Sequence, residues 1–66
     1  MHIQVNGQQQ YLAEPISVEH LLQQLGLLEK RIAVEVNQEI LSRERFPTTR
    51  LNDGDIIEIV QAIGGG

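Results

Sequence analysis

The chain of 66 residues has no cysteine, no tryptophan, one tyrosine and one phenylalanine. Without cysteine there are no disulfide staples, no thiolate zinc sites and no thiol nucleophile, so a hydrophobic content of 41% must hold the fold unaided. Tyr11 and Phe46 are too few to supply the stacking platforms that single-stranded nucleic acid requires. Basic residues are scarce as well. Five Lys and Arg stand against nine Asp and Glu, and the net charge of −4 opposes phosphate-backbone binding and favours a basic protein partner. No apolar run approaches the roughly 20 residues of a membrane span. Met1-His2-Ile3-Gln4-Val5 lacks the basic and apolar regions of a signal peptide, so the expected compartment is the cytoplasm. A chain this short folds as one domain that buries only about 60% of its unfolded surface, which leaves no room for a deep catalytic pocket.

What is present reads as a short alternation of strands around one helix. Ile3 and Val5 alternate with polar neighbours, and Asn6-Gly7 follows as a hairpin signal because both residues tolerate positive φ. A second strand then runs through Tyr11 to Ala13, with Gln8-Gln9-Gln10 as its polar start. Glu14-Pro15 interrupts it, and Ser17 stands where a helix N-cap belongs. Val18, Leu21, Leu22 and Leu25 recur at helical spacing, Ile16 and Leu21 are placed to form a hydrophobic staple, and Gly26 supplies the left-handed stop. Ile32, Val34 and Val36 alternate with Ala33 and Glu35 as a half-buried strand. Asn37-Gln38 turns the chain into a short return strand over residues 39–41. After the loop at Pro47-Thr48-Thr49 and the turn Asn52-Asp53-Gly54-Asp55, the β-branched run Ile56-Ile57-Glu58-Ile59-Val60 forms the last strand. A hairpin, one helix and a returning terminal strand share a single two-layer core, an α+β roll of the ubiquitin-like β-grasp kind with about four to five strands.

The candidate catalytic groups each have a structural explanation. Ser17 precedes an amphipathic helix and reads as a cap. His2 and His20 lack the spacing of helical zinc ligands, so no metal is expected. Asp53 and Asp55 flank Gly54 in a turn and are expected to bond local amides. Lys30-Arg31 and Arg43-Glu44-Arg45 mix both signs and read as solvated surface, with protein docking as the functional alternative.

The end of the sequence is different. The last strand passes through Gln61-Ala62-Ile63 into Gly64-Gly65-Gly66. Three glycines add nothing to a core and lose the most entropy if ordered, so their benefit lies outside the folded domain. A Gly-Gly end fits a channel too narrow for any β-carbon and carries its carboxylate to another protein's active site. The expected organisation is a single domain over residues 1–63 and a flexible functional tail over 64–66.

In Ile3-Gln4-Val5-Asn6-Gly7, the capped helix at 17–25, Ala33-Val34-Glu35-Val36-Asn37-Gln38-Glu39-Ile40, Asp53-Gly54-Asp55 before Ile57-Glu58-Ile59-Val60, and the terminal Gly65-Gly66, the chain resembles the ThiS family of sulfur carriers in thiamin thiazole biosynthesis. The resemblance implies a β-grasp whose first and last strands are central and parallel. It also implies that the Gly66 carboxylate is adenylated with MgATP by a ThiF-like enzyme, converted to a thiocarboxylate with sulfur from cysteine through a desulfurase, and consumed by a ThiG-like thiazole synthase. In that scheme Gly64 and Gly65 thread the tail, and the protein is a cosubstrate rather than an enzyme. Ile57 and Ile59 share the core face of the last strand, leaving Ile56, Glu58 and Val60, with Ile63 beyond them, as the expected partner-binding surface. The charged residues after Arg50 are Asp53, Asp55 and Glu58, which calls for a basic docking surface. The alternatives are a MoaD-like carrier for molybdopterin and a ubiquitin-like binding module with an inert tail.

Overall fold

A computed structural model describes residues 1–61. Ile63, Gly64, Gly65 and Gly66, and with them the domain boundary expected after Ile63, lie outside the described residues. The first hairpin joins β1 (His2–Val5) to β2 (Gln8–Tyr11), with Val5 opposite Gln8. Its turn is made by Asn6 and Gly7, whose φ angles are 50° and 82°. Positive φ at both central residues gives the turn the twist that suits the flanking strands. The second strand ends at Tyr11, two residues short of expectation; Leu12 beyond it is buried in the core and still exchanges backbone bonds with Met1, each at 2.8 Å.

The helix α1 (Val18–Gln24) starts at Ser17, whose Oγ accepts from the His20 N–H at 3.0 Å. It ends in a Schellman motif. With Gly26 at φ 73°, the Leu27 N–H reaches the Leu22 carbonyl at 2.8 Å and the Gly26 N–H reaches that of Gln23 at 3.1 Å. Val18, Leu21 and Leu22 are buried beneath it, and Ile16 joins the same cluster.

Two further strands follow, β3 (Ile32–Val36) and β4 (Glu39–Leu41), and the last is β5 (Ile56–Gln61). The sheet order is β2-β1-β5-β3-β4, so the last strand in sequence is the middle strand in space. It runs parallel to β1, with Val5 beside Ile57, and antiparallel to β3, with Val34 beside Ile59. Ile3, Val5, Val34, Ile57 and Ile59 point toward the helix and form one core with Leu12, Phe46 and Leu51. This is the mixed-sheet β-grasp architecture.

Two sequence expectations are corrected by long-range contacts, and a third is extended. A 3₁₀ turn, Arg43–Arg45, occupies the segment expected to be plain solvated surface. Arg43 is exposed but committed: its guanidinium donates to the carbonyls of Leu28 at 2.9 Å and Lys30 at 2.8 Å and lies 5.5 Å from the centre of the buried Phe46 ring. Asp53 does not serve its own turn, since its Oδ1 accepts from the His2 N–H at 2.7 Å. Asp55 keeps the expected local bond, from the Asn52 N–H at 2.7 Å, but also accepts from Asn37 Nδ2 at 2.9 Å and is buried.

The turn asparagines tie the central strand to both neighbours. Asn6 Oδ1 accepts from the Ile59 N–H at 2.8 Å, and its Nδ2 donates to the Ile59 carbonyl at 3.2 Å. Asn37, at φ 52°, accepts from the Ile56 N–H at 2.9 Å through Oδ1, and its own N–H donates to the Ile56 carbonyl at 2.8 Å. Replacing Asn6 by Gly preserves the turn's φ but removes both side-chain bonds to Ile59. Asn6→Gly is expected to lower the unfolding free energy by about 1–3 kcal/mol, with Asn6→Asp, which keeps the acceptor, in between. Urea denaturation of the three proteins measures the order, and equal stabilities would show that the amide contributes nothing.

Candidate functional site

Because α1 covers one face of the sheet, the alternation along β5 separates two environments. Ile57 and Ile59 are 0% and 8% exposed, whereas Ile56 and Val60 are 48% and 63% exposed, with Glu58 exposed between them. The register then brings other strands into the same open face. Glu58 lies opposite Glu35 on β3, Glu35 lies opposite Ile40 on β4, and Val60 lies opposite Ala33. On the other side Ile56 neighbours Gln4, which pairs with Gln9. Ile56 stands between two shallow depressions: one of about 430 Å³ lined chiefly by His2, Gln4, Gln9 and Asp53, and one of about 290 Å³ lined by Glu35, Asn37, Gln38, Ile56 and Glu58.

The structure therefore places Ile56, Glu58 and Val60 together on one open surface. Ile63, Gly64, Gly65 and Gly66 lie outside the described residues. Asp55 is withdrawn from this surface by its burial, so the acidic side chains on the β3–β5 part of it are Glu58 and Glu35, with Asp53 on the far side of Ile56. Ile40, 79% exposed, and Glu35 lie outside the partner-binding surface expected from the sequence. The alternation of β3 already put Glu35 opposite the core-facing Val34. Only the strand order sets Glu35 beside Glu58.

The other candidate groups are dispersed. Ser17 Oγ serves the helix cap. His2 packs edge-on against Tyr11 with ring centroids 5.4 Å apart, while His20 lies on the helix within 3.4 Å of the Gln24 amide. Among the described residues no three His, Cys, Asp or Glu side chains converge on a common point, and no helix is long and apolar enough to cross a membrane.

A five-stranded mixed sheet wrapped on one helix, with an open face on its middle strand, defines a ubiquitin-like β-grasp domain. The ThiS family model matches residues 3–66, and the chain belongs to the ThiS family, a family of sulfur carriers. The sulfur carrier protein ThiS of Bacillus subtilis is 37% identical over 65 residues, covering 97% of this chain and 98% of that protein. The crystal structure of the thiamine biosynthesis protein ThiS from Geobacter metallireducens has a TM-score of 0.86 at 38% identity, covering 100% of both chains. A thiazole synthase of Paramagnetospirillum magneticum is 39% identical over 66 residues, and there this chain spans only 20% of the relative's length.

The two faces of β5 make opposite mutational predictions. Ile57→Ala should cost about 2–5 kcal/mol by emptying a filled core position. Ile56→Thr and Val60→Thr should each cost less than about 1 kcal/mol, because both side chains already face solvent and threonine suits a strand. Thermal and chemical denaturation distinguish the two groups, and a large loss at Val60 would show that it has a packing partner.

Proposed function

We propose that this protein carries sulfur for thiazole formation in thiamin biosynthesis as a thiocarboxylate on Gly66. The observation that carries the reading is the family match, which continues through the terminal glycines rather than stopping at the last strand. The alignment of the whole chain with part of a thiazole synthase supports a ThiG-like enzyme as the consumer of the sulfur.

The chemistry follows from the inertness of a carboxylate. At neutral pH its carbon is a poor electrophile, so a ThiF-like partner couples it to MgATP. A carboxylate oxygen bonds to the α-phosphorus, pyrophosphate leaves, and an acyl-adenylate results. A desulfurase persulfide, formed as cysteine becomes alanine, then attacks the acyl carbon through its terminal sulfur and AMP departs; a thiol reduces the resulting acyl disulfide and releases the thiocarboxylate. The thiocarboxylate sulfur is a nucleophile toward a sugar-phosphate-derived carbonyl in the thiazole synthase. Hydrolysis of the acyl–sulfur bond leaves sulfur on the acceptor and returns the carboxylate to the carrier. Each catalytic step belongs to a partner enzyme, in keeping with a cytoplasmic cosubstrate that serves as a group carrier.

Gly64 and Gly65 suit delivery because a backbone without β-carbons passes through a narrow channel. The face bearing Ile56, Glu58 and Val60, with Ile63 nearer the tail, is the docking surface that holds the domain while the tail is threaded. Exposed apolar side chains framed by charge are the usual anchors of such contacts.

Incubation with the adenylating enzyme, MgATP, desulfurase, cysteine and a thiol reductant should exchange one terminal oxygen for sulfur in the intact mass. Deletion of Gly66 should abolish the exchange without unfolding the domain. An unchanged mass in the native chain would sink the reading. Thiamin should rescue growth of a strain lacking the gene, whereas failure of that rescue would redirect the carrier to another sulfur acceptor such as molybdopterin.

A further inference from the structure

We propose that the depression between β3 and β5 is the receptor for a single arginine side chain of the docking partner, held between Glu35 and Glu58. The inference rests on the docking role assigned to the open face and specifies its chemistry. Glu35 and Glu58 are directly opposed in the β3–β5 register. Like charges opposed across a strand pair are unfavourable in general, and a cation bound between them removes that repulsion. The carboxylates line one depression of about 290 Å³ whose other lining residues, Asn37, Gln38 and Ile56, are uncharged. Asn37 is held in place by its bonds to Ile56 and Asp55, which gives that wall a fixed shape.

The chemistry matches arginine better than a diffuse basic surface. A guanidinium presents several N–H donors in a planar fork, enough to satisfy two carboxylates at once, whereas an ammonium is a compact point charge. The aliphatic stem of an arginine has an apolar surface to lie on in Ile56. Ile40, opposite Glu35, and Val60, two residues along from Glu58, extend an apolar surround that excludes water when a partner closes over it. Glu35 and Ile40 thereby join the docking surface, which extends across three strands instead of following β5 alone.

The test measures binding of the full-length chain to the purified adenylating enzyme and thiazole synthase of the same organism over a range of salt concentrations. Glu35→Gln and Glu58→Gln should each weaken binding about tenfold to at least one enzyme, and the double variant should lose most of the salt dependence. Melting temperatures should stay level or rise as the carboxylate repulsion is relieved, which separates a binding loss from unfolding. Phenylglyoxal labelling followed by peptide mapping should show one partner arginine protected by the native chain and not by the double variant. A double variant with native affinity and salt dependence, alongside a disabled Ile56→Asp/Val60→Asp chain, overturns the arginine receptor and leaves the docking face standing. Protection of a lysine in place of an arginine overturns the guanidinium assignment. A native chain that binds neither enzyme overturns both the receptor and the docking reading.

Discussion

The sheet depends on two asparagine side chains that take over where the backbone ladder stops. A turn carries the chain away from its neighbour and leaves the next residue of the adjoining strand with unpaired N–H and C=O groups. Asn6 meets both groups of Ile59 with its amide, and Asn37 meets those of Ile56 with its side-chain oxygen and its own N–H. An unpaired buried backbone group costs about 1–3 kcal/mol, a large share of the margin available to a chain this short. The partners lie 53 and 19 residues apart in sequence, so the two hairpins are brought to the central strand by side chains within their own turns. One residue type therefore supplies both the positive φ that closes each hairpin and the bond that docks it.

This arrangement explains which parts of the fold were legible in the sequence. Helical spacing at Val18, Leu21 and Leu22, the Ser17 cap and the Gly26 stop are local features, and each appears where the pattern puts it. The Asn6-Gly7 turn is equally local. What the pattern does not carry is a side chain's distant partner. Asp53 bonds His2, Asp55 bonds Asn37, and Arg43 clasps the loop at Leu28 and Lys30. From the sequence these were turn formers and solvated charges, because neighbours in the chain were the only neighbours visible. The central position of β5 came from the family resemblance, since hydrophobic periodicity assigns a face to each strand but no place in the sheet.

The candidate site divides along the same line. Alternation within β5 was enough to put Ile56, Glu58 and Val60 on one face, and their exposure follows from the helix covering the other. Glu35 and Ile40 enter that face only through the order β5-β3-β4 and its register. With twelve buried hydrophobic residues in the core among the described residues, a fold of this size has few apolar side chains to leave in water. That makes Ile40, Ile56 and Val60 on one face more informative than scattered exposed residues on a larger protein would be.

If the carrier visits successive enzymes as proposed, the mixture of exposed aliphatics and carboxylates has a kinetic rationale. An extended apolar interface would lengthen residence on the first enzyme and delay delivery to the second, because differences in affinity lie mainly in the dissociation rate. Charge complementarity accelerates encounter and fixes orientation without requiring the same lifetime. A small apolar patch around an acidic pair can thus hold the domain long enough for a tail to enter an active site and still release it. The absence of cysteine fits the proposed division of labour: with no thiol on the chain, sulfur transferred as proposed would have no competing side-chain destination besides the main-chain carboxylate.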